Sequence, residues 1–161
     1  MKVLALDLAT NCGVAIGDIA ENLKPKYSTE VFHNKDFDGA GMRYVNFYAF
    51  MESTIRNNHI ELVVYEGVRK HTGVTAAHLY GGWLSTLQIA CENYDVPYTA
   101  FGVGEIKKFW TGNGSATKDH MIGAARKKGL DPKDDNQADA LAIWYMAKDR
   151  YGKITNPMSL E

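Results

Sequence analysis

The sequence predicts one α/β domain in which helices cover a sheet, and three observations carry that expectation. Two short, almost wholly apolar runs, at 3–9 and 62–65, read as strands buried on both faces. Stretches at 41–58, 75–94 and 138–146 repeat apolar residues at the three-and-four spacing of helices packed on one side. The 161 residues, 45% of them apolar and 23% charged, suffice for one core and fall outside disordered, collagen-like and disulfide-scaffold compositions.

Each element follows from its residues. Val3-Leu4-Ala5-Leu6-Asp7-Leu8-Ala9 is the first strand, with a charge where a buried strand has no use for one. After the turn residues Thr10-Asn11-Cys12-Gly13, Val14 to Asp18 reads as the return strand of a hairpin and Tyr27 to His33 as a third strand, making a meander. Tyr44, Phe47, Tyr48, Met51 and Ile55 place a helix over 41–58. Leu62-Val63-Val64-Tyr65 forms a second buried strand that also ends in an acid, Glu66. Ala76, Tyr80, Trp83, Leu84, Leu87, Cys91 and Tyr94 give a long helix, whose Gly81-Gly82 pair leaves room for a close neighbour. Pro97 puts the 96–101 strand at an edge, and a short helix is expected at 105–110. Thr117 is the expected N-cap of a helix reaching Lys128, with Gly129 closing it. Ala138, Leu141, Ala142, Tyr145 and Met146 stripe a last helix, and Asn136-Gln137-Ala138-Asp139 reads either as its capping box, with Asn136 as N-cap, or as the bearer of a functional acid. The domain is expected to span 1–150, with a C-terminal tail at 151–161.

Charge and cysteine content exclude whole classes. Eighteen basic residues against nineteen acids rule out a uniformly basic nucleic-acid coat and a polybasic membrane anchor. Cys12 and Cys91 belong to no metal or redox motif, so a reduced, cytoplasmic setting without a membrane is expected. The five histidines lack zinc spacing, and 112–118 lacks the Walker spacing. Ser115 has no nucleophile elbow around it.

Acids in apolar surroundings are the informative feature: Asp7 in the first strand, Glu66 ending the fourth, Asp139 beside the stripe of the last helix. A buried carboxylate is costly unless paired or bound to a metal. Hard divalent cations such as Mg2+ neutralise such a cluster, and two of them about 4 Å apart promote phosphodiester hydrolysis. The 105–128 segment adds Lys107, Lys108, Lys118, Arg126, Lys127 and Lys128 against two acids, suiting a phosphate-contacting face. Arg69, Lys70 and His71 form a second basic group after Glu66. Phe109 and Trp110, interleaved with lysines, suit either base stacking or the core.

Residues 4–15 (LALDLATNCGVA), 62–67 (LVVYEG), 112–118 (GNGSATK) and 136–142 (NQADALA) together resemble the RuvC-type Holliday junction resolvases of the RNase H-like superfamily, most closely phage-type members. The resemblance spans 3–147. It implies an RNase H-like fold, a five-stranded mixed sheet flanked by helices, with the acids gathered at one end. It also implies a homodimer that cuts two strands of a four-way DNA junction using two Mg2+ or Mn2+ ions per active site. Asp7, Glu66 and Asp139 match the metal ligands, and Lys118 matches a basic residue near the scissile phosphate. The family's fourth acid falls on Asn136, so Asp135, one residue earlier, is expected to substitute if the helix starts soon enough. Arg69 stands where some members carry an aromatic wedge.

The expected site is therefore Asp7, Glu66, Asp135, Asp139 and Lys118, with Arg69, Lys70, Lys107 and Lys108 contacting DNA. The 75–94 helix, through Gly81-Gly82, is expected at the dimer interface. Three rivals stand beside this reading: a related RNase H-like nuclease acting on hybrids, RNA precursors or branched DNA; an inactive junction-binding relative; and a phosphotransferase of the actin and sugar-kinase superfamily. The last needs two such domains, more than 161 residues supply.

Overall fold

In the computed structural model, residues 1–153 are described; 154–161, most of the expected tail, lie outside them. Ten elements follow in order: β1 (Lys2–Asp7), β2 (Asn11–Asp18), β3 (Lys26–Val31), α1 (Met42–Asn58), β4 (Leu62–Gly67), α2 (Val74–Asn93), β5 (Tyr98–Gly102), α3 (Val103–Thr111), α4 (Lys118–Lys127) and α5 (Asp135–Tyr151). The sheet order is β3-β2-β1-β4-β5. The first three strands form an antiparallel meander, whereas β4 and β5 run parallel to β1, as helical crossovers allow. The mixed five-stranded sheet expected from the resemblance is thus present.

Strand alternation divides the core. Val3, Ala5, Ala15, Val64 and Phe101 face α3, α4 and α5; Leu4, Leu6, Val14, Val63 and Tyr65 face α1 and α2. Asp7 and Glu66 continue the first set by the same alternation, so both turn toward the α5 side. β5 lies at the edge, with Pro97 immediately before it.

Some expectations are corrected. β2 begins at Asn11, not Val14: Asn11 pairs with Val31, and Phe32 N–H donates to Thr10 O, so pairing with β3 draws the expected turn residues into the ladder. The cap of α5 is Asp134, not Asn136: Asp134 Oδ1 accepts from Gln137 N–H, and its other oxygen accepts from the Thr29 hydroxyl. A carboxylate already tied to β3 outcompetes Asn136 for the cap, and α5 starts early enough to make Asp135 its first residue. Lys128 rather than Gly129 is the C-cap of α4, with Gly129 left-handed one position on.

Two of the close approaches in the fold are made through Gly13 and Gly82. A Cβ on Gly13 would stand 1.9 Å from the Asn136 carbonyl oxygen, so glycine lets the start of α5 lie directly on β2. A Cβ on Gly82 would stand 2.3 Å from the Tyr44 ring, whereas Gly81 faces open space. Gly82 therefore serves packing of α2 on α1 within the chain. Trp110 is core, only 4% exposed, its indole N–H donating to Met121 O; Phe109 is exposed.

Candidate active site

Asp7 ends β1 and Glu66 sits near the end of β4. The ladder between these parallel strands closes at Leu6 and Tyr65, so the acids stand side by side one step beyond it. Neighbouring strands are about 4.8 Å apart, and two carboxylates at about 5 Å repel by about 3 kcal/mol at an effective dielectric of 20. α5 lies across this face, and Asp135 and Asp139, four residues apart, share its side toward the strand ends. Gly13 pairs with Asp7 in the β1–β2 ladder, so the glycine that admits α5 lies beside the first acid.

The electrostatics register this gathering. Burial, then Asp139, Glu66 and Asp135, push the Asp7 carboxyl well above the ordinary carboxylate range, with Lys118 opposing. Burial, then Glu66 and Asp135, push Asp139 up to about 7 against Lys107 and Lys118. Glu66 is raised by burial, with Lys107 opposing. Such an excess of buried negative charge is a high-energy arrangement for carboxylates alone.

Lys118 opens α4, where Thr117 is the N-cap. Its Nζ lies 2.5 Å from Asp135 Oδ2, and the pairing raises the Lys118 ammonium pKa. The lysine side chain is 80% exposed, so this pair is worth no more than about 1 kcal/mol and opens readily. Asp135, rather than Asn136, is the residue whose charge reaches Asp7 and Asp139.

Of the expected DNA contacts, Lys107 reaches the acid cluster electrostatically. Arg69 and Lys70 are exposed and line a cleft of about 550 Å³ with Gly67, Val68, Gly102, Val103 and Gly104, directly after Glu66. Lys108 is exposed on α3. His120 is bound into the cap of α4, its Nδ1 accepting from Thr117 N–H. Asp134, Thr29 and Tyr80 were not legible as site residues. Asp134 and Thr29 anchor the start of α5, and Tyr80 bonds the backbone at Glu66.

Among the described residues, no three His, Cys, Asp or Glu side chains are grouped so as to hold a metal ion as they stand. No helix among them is long and apolar enough to cross a membrane. The donor chemistry nevertheless fits a hard divalent cation: four carboxylates, three with raised pKa, opposed by Lys107 and Lys118.

No protein-family model matches the sequence, and no curated protein matches it. Solved structures do. RuvC from Thermus thermophilus superposes with a TM-score of 0.76 at 23% identity, covering 96% of each chain. The same protein in complex with a Holliday junction substrate gives 0.81 at 24% identity, covering 96% of this chain and 97% of that one. The yeast mitochondrial Holliday junction resolvase Ydc2 gives 0.63 at 13%, covering 94% and 82%. The strand order, the helices on both sheet faces and these superpositions together assign the chain the RNase H-like fold of the RuvC Holliday junction resolvases.

Proposed function

We propose that this protein is a metal-dependent endonuclease that resolves four-way DNA junctions by paired, symmetric nicks, a phage-type member of the RuvC group. The observation that carries the reading is the gathering of Asp7, Glu66, Asp135 and Asp139 at one end of a sheet shared with RuvC, with no basic partner sufficient to neutralise them. One neighbour in fold was solved with a Holliday junction substrate, which supports branched DNA as the ligand class.

Asp7, Glu66, Asp135 and Asp139 would hold two Mg2+ or Mn2+ ions, which when bound supply water activation and charge neutralisation at a phosphodiester. Asp7, whose carboxyl is pushed up by burial and by all three other acids, would serve both ions. To hold such ions, Asp135 would have to leave Lys118. The freed ammonium then faces the incoming phosphate and offsets charge developing on it. Lys107 contributes positive potential from α3, and Arg69 and Lys70 hold the backbone of an arm at the cleft beyond Glu66. With Arg69 where an aromatic wedge is found elsewhere, the junction is held open here by phosphate contacts. Two protomers related by a two-fold axis would match the symmetry of the junction. The compartment that follows is the bacterial or phage-infected host cytoplasm.

The test is cleavage of a labelled synthetic four-way junction beside linear duplex, fork and RNA/DNA hybrid, with Mg2+ or EDTA, for wild type and Asp7→Asn. Paired nicks confined to the junction, requiring metal and lost in the variant, are expected. Equal cutting of forks or hybrids would replace resolution by a broader nuclease activity. Tight junction binding without any cutting would leave a structure-selective clamp.

A further inference from the structure

Tyr80, on α2, closes the end of β4 from the opposite face of the sheet. Its hydroxyl donates to the Glu66 carbonyl oxygen at 2.8 Å and accepts from Val68 N–H at 3.2 Å. The ladder from β4 to β1 stops one pair earlier, at Leu6 and Tyr65, while β4 stays paired with β5 through Gly67, so the phenol takes up backbone groups on the side of Glu66 where β1 no longer does. The Tyr80 ring centroid also lies 5.0 Å from that of His71. One side chain thus touches both ends of the 66–71 segment, between which Arg69 and Lys70 project. Clefts of about 220 and 260 Å³ flank the segment, and Tyr80 and Val68 line both. With open space on either side, the packing around 68–71, beyond the last β4–β5 pair, does little to hold it.

We propose that Tyr80 is a positioning residue: its hydroxyl sets the place of the Glu66 carboxylate relative to Asp7 and keeps the Arg69–Lys70 pair in register with it. The assignment rests on the nuclease reading above. Removing the hydroxyl while keeping the ring leaves α2 packing intact, yet leaves the backbone of one of the four acids held on its β5 side alone. Groups one shell out from a metal typically govern affinity and rate by about ten- to a hundredfold.

Tyr80→Phe tests it. Mn2+ binding, followed by loss of the free-ion electron paramagnetic resonance signal, is expected to weaken about tenfold, and single-turnover junction cleavage at saturating DNA to slow about tenfold. Excess Mn2+ should recover part of the rate, whereas junction affinity measured in EDTA should fall no more than about threefold as the Arg69–Lys70 pair loosens, and the melting temperature should drop by only about 2–4 °C. Tyr98→Phe, which loses a hydroxyl bond to Glu92 at the far end of β5, is the control and should behave as wild type in each assay. Tyr80→Phe with wild-type Mn2+ affinity and rate, or equal losses in both variants, would overturn the assignment. Wild-type protein that neither binds Mn2+ nor cuts junctions would instead overturn the nuclease reading beneath it.

Discussion

At the scale of single residues, the site is strained in charge. Asp7, Glu66 and Asp139 are all pushed toward the protonated form by burial, and Asp7 and Asp139 by neighbouring acids as well. Replacing Asp7 by Asn removes one of the mutually repelling charges. The variant should lose at least about a hundredfold in cleavage, while the metal-free protein melts at a higher temperature than wild type. A lower melting temperature would show that Asp7 is a structural carboxylate with a partner. The pH dependence has a definite sign. Asp139 titrates near 7 in the fold and near 3.9 when unfolded, so between these values the native state binds more protons than the unfolded chain. Metal-free stability should therefore rise as pH falls from 8 to 5, the direction that Asp7 and Glu66 also favour. Saturating Mg2+ should flatten or reverse that slope, because the ion replaces the protons. Melting curves across pH, with and without Mg2+, check both statements.

At the scale of elements, the site depends on how closely α5 lies on β2. Gly13 permits the contact, and Asp134, fixed by Thr29 and by the Gln137 N–H, sets where the helix begins. Gly13→Ala would drive a methyl to 1.9 Å from the Asn136 carbonyl oxygen, where backbone rather than a flexible side chain must yield. A loss of about 3 kcal/mol is expected from such overpacking, together with loss of cleavage as Asp135 and Asp139 are lifted from Asp7. Urea denaturation and the junction assay measure the two effects. Unchanged stability would mean that α5 has slack at its N-terminus. The spacing of the last helix was readable from Ala138, Leu141 and Ala142, but its start was not. Asn136 and Asp134 are both good caps by residue type, and only the hydrogen bond from Thr29, 105 residues away, chooses between them.

At the scale of the whole molecule, paired nicking requires two sites acting on one junction. If the protein is a homodimer, mixing wild type with excess Asp7→Asn under subunit exchange should yield junctions nicked in one strand only. Continued paired cutting in proportion to remaining wild type would mean that each chain acts alone, and sedimentation on the same samples reports the state directly. Gly82, occupied by Tyr44 of its own chain, is unsuited to report on that interface; the open side of α2 at Gly81 is where substitutions would bear on it.

The sequence by itself determined that acids stand at the ends of two buried strands and beside a buried helix, because a charge interrupting an apolar run is visible without any contact. It also determined the meander, the three long helices and the edge position of the last strand, which follow from local periodicity and from Pro97. Only the tertiary structure decided that Asp135 rather than Asn136 joins the charge network, that Trp110 is core, that Gly82 is spent on Tyr44, and that Tyr80 holds Glu66. Each of these turns on which partner a side chain meets elsewhere in the fold, and side-chain type and spacing carry no record of that meeting.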